Sequence, residues 1–258
     1  MNKFAVNLST IFTEVHFLER FKKARDCGFS YVECQFPYNH TIAEIQRELL
    51  HNLLSLELIN LPPGNWVKGD RGLAADPYRV NEFKQSVQTG IEYAVALNVS
   101  KIHCMAGIIS NGDHRIARAV YLKNLHFAGT EMAKHGITLL IEPLNPYDMP
   151  GYFLHDIHQA KEILDVVDLP NVKLQFDFYH MERIHGNPLS LFQQYADTIG
   201  HVQIADVPGR HQPGTGEMNY KEIFHYLNDI YEGYIGVEYT PSGKSEASFD
   251  WLEGWKIK

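Results

Sequence analysis

Cysteine is scarce in this chain of 258 residues: Cys27, Cys34 and Cys104 form an odd, scattered set with no CxxC pair. Such a set reads as reduced thiols in a cytoplasmic protein, not as a disulfide framework. Long apolar runs are missing too. None approaches the roughly 18 residues of a membrane span, and Met1-Asn2-Lys3-Phe4 lacks the apolar core of a signal peptide. No low-complexity segment or linker divides the chain, so residues 1–258 are expected to form a single domain. Positive charge is also short: 23 Lys and Arg stand against 31 Asp and Glu, a formal net charge of -8. That argues against a nucleic-acid backbone as partner, because phosphate binding needs clustered positive charge. A small anionic substrate held by one or two local cations stays open. No GxGxxG or P-loop pattern occurs, and Gly214-Thr215-Gly216 reads as turn-forming.

What is present is alternation. The stretch Ile137-Thr138-Leu139-Leu140-Ile141 runs straight into Glu142, and Pro143 then takes the backbone out of any sheet. A run this apolar fits a strand buried on both faces of a parallel sheet. The layout recurs at Val172 to Asp177, at His201 to Asp206 with Gln203 inside, and at Tyr234 to Glu238. Upstream, strands are expected at Phe4–Leu8 with Asn7 near the end, Tyr31–Phe36 with Glu33, Ser55–Ile59 ending at Asn60, and Lys101–Met105 with His103.

Helices fill the intervals: about Val15–Cys27, a second after the capping box Thr41/Glu44, then Val80–Leu97, Arg115–His135, Ile157–Val167 capped by Asp156, Leu189–Thr198, a seventh opened by Asn219 and Glu222, and a short one near Glu246–Trp255. A Gly- and Pro-rich loop over Leu61–Tyr78, with Trp66, Lys68 and Arg71, is long enough to serve as a lid. Eight strand–helix alternations in about 250 residues make an α/β fold, a single (β/α)8 TIM barrel with strand 1 closing on strand 8.

In such a barrel Glu142, Asp177, Gln203 and Glu238 converge at one face. A single acid at a strand end is ordinarily a cap or a surface ion pair; four aligned strand ends are not chance. Three carboxylates that close raise one another's pKa unless compensated. A divalent cation would compensate them, and an all-oxygen donor set favours Mg²⁺ or Mn²⁺ over zinc. Two of them, Glu142 and Glu238, are also placed to remove and return a proton beside a carbonyl, with a metal stabilising the enediolate. His180, three residues beyond Asp177, and Arg210 are candidates for binding a substrate oxygen or carboxylate. Asn60 and His103 are further candidates, and Glu33 is placed to orient a polar partner.

These segments together resemble the hydroxypyruvate isomerase family of the xylose-isomerase-like barrels. The resemblance rests on Phe4-Ala5-Val6-Asn7-Leu8-Ser9, Phe36-Pro37-Tyr38, Asn60-Leu61-Pro62-Pro63-Gly64, Ile141 to Asn145, Asp177 to Met181, His201 to Asp206, Pro213 to Tyr220, and Gly236 to Tyr239. It implies isomerisation of hydroxypyruvate to tartronate semialdehyde in glyoxylate metabolism. Glu142 and Glu238 would be the proton-transfer pair, with Asp177 and Gln203 joining them as metal ligands. Related barrels usually carry histidine where Gln203 stands, a departure that bears on metal dependence. A close group acts on 2-oxo-tetronates, one carbon longer, and ketose 3-epimerases are more distant. A DNA-repair endonuclease on the same barrel would need a histidine-rich multi-zinc centre and a basic face. The sequence leaves room for a homo-oligomer.

Overall fold

The computed structural model describes residues 3–109 and 113–254. Strands β1 (Lys3–Asn7), β2 (Tyr31–Glu33), β3 (Ser55–Leu56), β4 (Ile59–Asn60), β5 (Lys101–His103), β6 (Thr138–Ile141), β7 (Val172–Asp177), β8 (Ile199–Ile204) and β9 (Tyr234–Val237) form one parallel sheet in the order β3-β2-β1-β9-β8-β7-β6-β5-β4. β9 lies between β1 and β8, the closure expected of a barrel.

The expected third strand is split. β3 pairs with β2, while β4 pairs with β5. Main-chain bonds join the halves across the seam: Glu57 N–H donates to the Val32 carbonyl at 2.8 Å and Asn60 N–H to the Gln35 carbonyl at 2.8 Å. A barrel closes only with staggered strands, so one stave serves its two neighbours at different heights.

The helices are α1 (Phe17–Asp26), α2 (Ile42–His51), α3 (Val80–Leu97), α4 (His114–Ala133), α5 (Ile157–Val167), α6 (Phe178–His185), α7 (Pro188–Tyr195) and α8 (Tyr220–Ile230). The Thr41/Glu44 box caps α2 in both directions. Asp156 accepts from His158 and Gln159 N–H at the start of α5, and Asn219 accepts from Glu222 N–H at the start of α8. Each cap satisfies amides that a helix start leaves open.

One helix is additional. The sequence pattern places a single helix over Leu189–Thr198; α7 and a 3₁₀ turn at Ala196–Thr198 occupy that stretch, but α6 precedes them directly after β7. Phe178, Tyr179, His180 and Met181 of α6 are all buried, so its first turn carries no polar face for a periodic pattern to detect. The last helical stretch, Ser245–Gly254, is 3₁₀, and Trp255 at its expected end lies outside the described residues.

The strands deliver polar residues to one rim. Asn7, Glu33, Asn60, His103 and Asp177 are the last residues of β1, β2, β4, β5 and β7, and Glu142 and Glu238 immediately follow β6 and β9. Register keeps neighbours level: Asn7 lies beside Glu33, Asn60 beside His103, and Asp177 beside Gln203. Gly236 in β9 makes room inside this rim, since a Cβ there would sit 2.5 Å from Glu33 Oε1 and 2.7 Å from Gln203 Cγ.

The 61–78 loop is anchored at its base. Leu73, Ala74 and Ala75 are buried, and Ala75 N–H donates to the Ala106 carbonyl at 2.8 Å. Its outer turn, Trp66–Lys68, holds the Trp66 ring between Phe36, 5.2 Å away, and the Arg71 guanidinium, 3.8 Å from the ring centre.

Candidate active site

Asn60, His103, Glu142, His180, Gln203, Arg210 and Glu238 line one cavity of about 150 Å³ at the carboxyl ends of the strands, with Trp66 at its edge. Asp177 is fully buried behind them, its Oδ2 3.6 Å from Arg210 Nη2 and 3.7 Å from His180 Nε2. The structure therefore brings together the eight residues proposed as catalytic, substrate-binding or metal-ligating.

A hydrogen-bonded chain links the two glutamates. Gln175 Nε2 donates to Glu142 Oε2 at 3.0 Å and to Gln203 Oε1 at 2.7 Å. Gln203 Nε2 donates to Glu33 Oε1 at 2.7 Å. Asn7 Nδ2 donates to Glu33 Oε1 at 3.2 Å and to Glu238 Oε1 at 3.3 Å, and Gln35 also donates to Glu238. Below this layer His201 Nε2 meets Glu33 Oε2 at 2.8 Å, and Lys101 Nζ meets His201 Nδ1 at 3.4 Å. Burial, followed by Lys101, holds the His201 pKa well below its usual value. His201 is thus a neutral donor to Glu33 through Nε2–H.

His180 is also neutral, because burial and then Arg210 push its pKa well below the ordinary value. Asn145 N–H donates to His180 Nδ1 at 3.1 Å, which assigns the ring hydrogen to Nε2, the nitrogen turned toward Asp177. His180 is therefore set as a hydrogen-bond donor into the site. His103 Nε2 lies 3.6 Å from Glu142 Oε2, and burial lowers its pKa to about 3.

Four buried carboxyls carry the opposite strain. Burial, then Asp177 and Glu238, raise the Glu142 pKa well above its ordinary value. Burial raises Asp177 to about 7 against the pull of Arg210, and Glu33 to about 7 against donors from Gln203 and Asn7. Glu238 is raised by burial while Arg210 opposes the shift.

A carboxyl raised in the fold binds its proton more tightly folded than unfolded. Its contribution to stability is full below the unfolded pKa and is lost as pH rises through the folded one. The melting temperature of the metal-free protein is therefore expected to fall between about pH 5 and pH 8, and Glu33→Gln is expected to flatten that fall. A melting temperature that climbs over this window, or an unchanged slope in the variant, contradicts the assignment.

Arg210 reaches the rim from the loop after β8. Asp206 organises that loop: its carboxylate accepts N–H groups of Val207 at 2.9 Å, Gly214 at 2.8 Å, Gly216 at 3.0 Å and Met218 at 3.1 Å. The strand-end acid Asp206 therefore serves the loop, and the glycines of Gly214-Thr215-Gly216 do form its turn. Arg210 itself has φ +54° and is tied by Thr240 N–H to its carbonyl at 2.8 Å.

The donor set suits a hard divalent cation. Glu142 Oε1 and Asp177 Oδ2 are buried without hydrogen-bond partners, and a native carboxylate oxygen in that state calls for a cation or a proton. Glu142, Asp177 and His180 also present atoms within 4.8 Å of one another. The hydrogen on His180 Nε2 makes it a donor in this arrangement. Gln203 Oε1, already accepting from Gln175, keeps one lone pair.

Sequence reading passed over Gln175, His201, Asn7 and Gln35 as parts of this network. A signal existed for two of them: Gln175 lies two residues before Asp177, and His201 two before Gln203, so each shares its partner's face of the strand.

Comparison with known proteins matches the sequence model of the xylose isomerase-like TIM barrel family to residues 21–255. The hydroxypyruvate isomerase of Escherichia coli (strain K12) is 43% identical over 99% of this chain and 100% of its own. The 2-oxo-tetronate isomerase of Cupriavidus necator is 42% identical over 98% of each. A crystal structure from Brucella melitensis described as AP endonuclease, family 2, superposes with TM-score 0.97 at 41% identity over the whole of both chains. A 3-keto-D-glucoside 4-epimerase from E. coli superposes with TM-score 0.80 at 22% identity over 98% of this chain and 100% of its own, which shows the shared fold alone. No helix among the described residues is long and apolar enough to cross a membrane. On sequence, barrel and full-length identity, the chain belongs to the xylose isomerase-like TIM barrel family, within its hydroxypyruvate isomerase group.

Proposed function

We propose that this isomerase interconverts hydroxypyruvate and 2-hydroxy-3-oxopropanoate (tartronate semialdehyde). The observation that carries the reading is the pair Glu142 and Glu238, which follow β6 and β9 and open on one small cavity beside the cationic Arg210. One glutamate removes a proton from the hydroxymethyl carbon, leaving an enediolate; the other returns a proton to the former ketone carbon. Carboxyls raised by burial are matched to this work, because a general base is most effective with a pKa near the operating pH. His180 Nε2–H is positioned to donate to an enediolate oxygen, and Arg210 to face the substrate carboxylate.

Glu142, Asp177, Gln203 and Glu238 would hold Mg²⁺ or Mn²⁺. When bound, such an ion polarises the carbonyl and neutralises developing charge. Buried thiols at Cys34 and Cys104 suit a reducing cytoplasmic setting, and glyoxylate metabolism is the corresponding pathway.

The second reading, a 2-oxo-tetronate isomerase, is favoured by the relative at 42% identity that bears this name. It keeps the same acid pair and mechanism, since one extra hydroxylated carbon is a small change for a pocket to exclude. The nuclease description of the Brucella melitensis protein is less suited to this chain, whose net charge is -8. Turnover of hydroxypyruvate and 2-oxo-tetronate should be compared in metal-stripped protein with and without Mg²⁺ or Mn²⁺. The expected result is a higher kcat/KM for hydroxypyruvate. A preference for the longer acid transfers the assignment to the second reading, and turnover of neither rejects both.

A further inference from the structure

Among the described residues, Glu142, Asp177 and Glu238 face one guanidinium at the rim, that of Arg210. Arg210 Nη2 stands 3.5 Å from Glu238 Oε2 and 3.6 Å from Asp177 Oδ2. These separations exceed a good N–H···O bond, so the guanidinium is not forked onto either acid. It spans both as a charge. Its Nε is buried without a partner, its face lies 5.1 Å from the centre of the Tyr179 ring, and its side chain keeps 30% exposure toward the cavity. The main chain, by contrast, is fixed through Thr240 and the Asp206-centred loop. The side chain can therefore change its reach while its anchor stays.

We infer that Arg210 is a built-in counter-cation for Asp177 and Glu238, competing with a divalent cation for these two carboxylates. The inference rests on the reading of both acids as cation ligands. Two positive charges cannot share two carboxylates as cheaply as one, so a bound metal must displace or repel the guanidinium. An incoming hydroxy-oxo acid offers Arg210 another carboxylate and thereby frees the pair.

Mn²⁺ binding to metal-stripped protein tests this without any turnover, by the electron paramagnetic resonance signal of the unbound ion. Arg210→Gln is expected to bind Mn²⁺ about tenfold or more tightly than the parent chain. Arg210→Lys, which keeps the charge, should stay within about threefold of it. Arg210→Met serves as a second uncharged variant if the glutamine fails to fold, judged by circular dichroism. Affinity that is unchanged or weaker in the folded uncharged variant overturns the inference. No Mn²⁺ bound by parent or variant at millimolar concentration overturns both the inference and the metal part of the proposed function. Hydroxypyruvate turnover in the same preparations reports separately on the isomerase reading.

Discussion

Glu142→Gln and Glu238→Gln are each expected to lower kcat on hydroxypyruvate by about 10³-fold or more, within the range a general acid or base contributes. Glutamine keeps the shape and one carbonyl oxygen, so Gln175 retains an acceptor at position 142 and Asn7 one at position 238. What is lost is the titratable carboxyl, and with it the negative charge that would serve a bound cation. Stability should move the other way. Both carboxyls are raised by burial, and Glu142 also by its acidic neighbours, so a neutral amide is the better guest above neutral pH. Each variant should therefore melt at or above the parent temperature at pH 8, a trade of activity against stability. Because the two act as a unit, the double variant should be scarcely slower than either single one. Steady-state kinetics and melting on the same samples read all three. More than a tenth of parental kcat in either single variant removes that residue from the proton-transfer pair.

Asp206→Ala is expected to have the largest effect on stability. Its carboxylate accepts four main-chain N–H groups of the loop after β8 while being almost fully buried. Hydrogen bonds to a charged acceptor are worth about 1.5–3 kcal/mol each, and alanine strands all four donors. Even with partial relaxation toward water, a loss of about 3 kcal/mol or more is expected. The loop that presents Arg210 would loosen with it, so KM for the anionic substrate should rise more than kcat falls. Denaturant melts and saturation kinetics measure the two effects. A variant within about 1 kcal/mol of the parent would mean that the loop finds its bonds elsewhere.

Much of the barrel is legible in the chain because apolar runs ending in an acid are hard to place anywhere else. Ile137 to Ile141 has no polar face, so both sides must be covered, and Glu142 must stand where the run stops. The convergence of Glu142, Asp177, Gln203 and Glu238 then follows from parallel order alone. The interior network is another matter. Gln175 and His201 are flanked by apolar residues in their strands, as Glu33 is, but a neutral amide within a strand carries no charge to demand an explanation. Only closure of the ring fixes which face looks inward. α6 was hidden for a related reason. Its buried first turn is part of the site, and functional burial erases the amphipathic stripe by which helices are read. The split of the third stave into β3 and β4 depends on stagger between neighbours, a relation between strands that no local pattern contains.

The Asp206 carboxylate has one more consequence, for the choice among metabolites. Barrels of this architecture frequently use the loops after their seventh and eighth strands to grip a substrate phosphate with main-chain amides. Here four of those amides, after the seventh stave, already close on an anion that belongs to the chain. A phosphorylated hydroxy-oxo acid would bring a second negative charge to a filled nest. It should stay unconverted in an assay where the free acid turns over. That result would mean that the chain sorts free from phosphorylated carbon skeletons by supplying the missing anion itself.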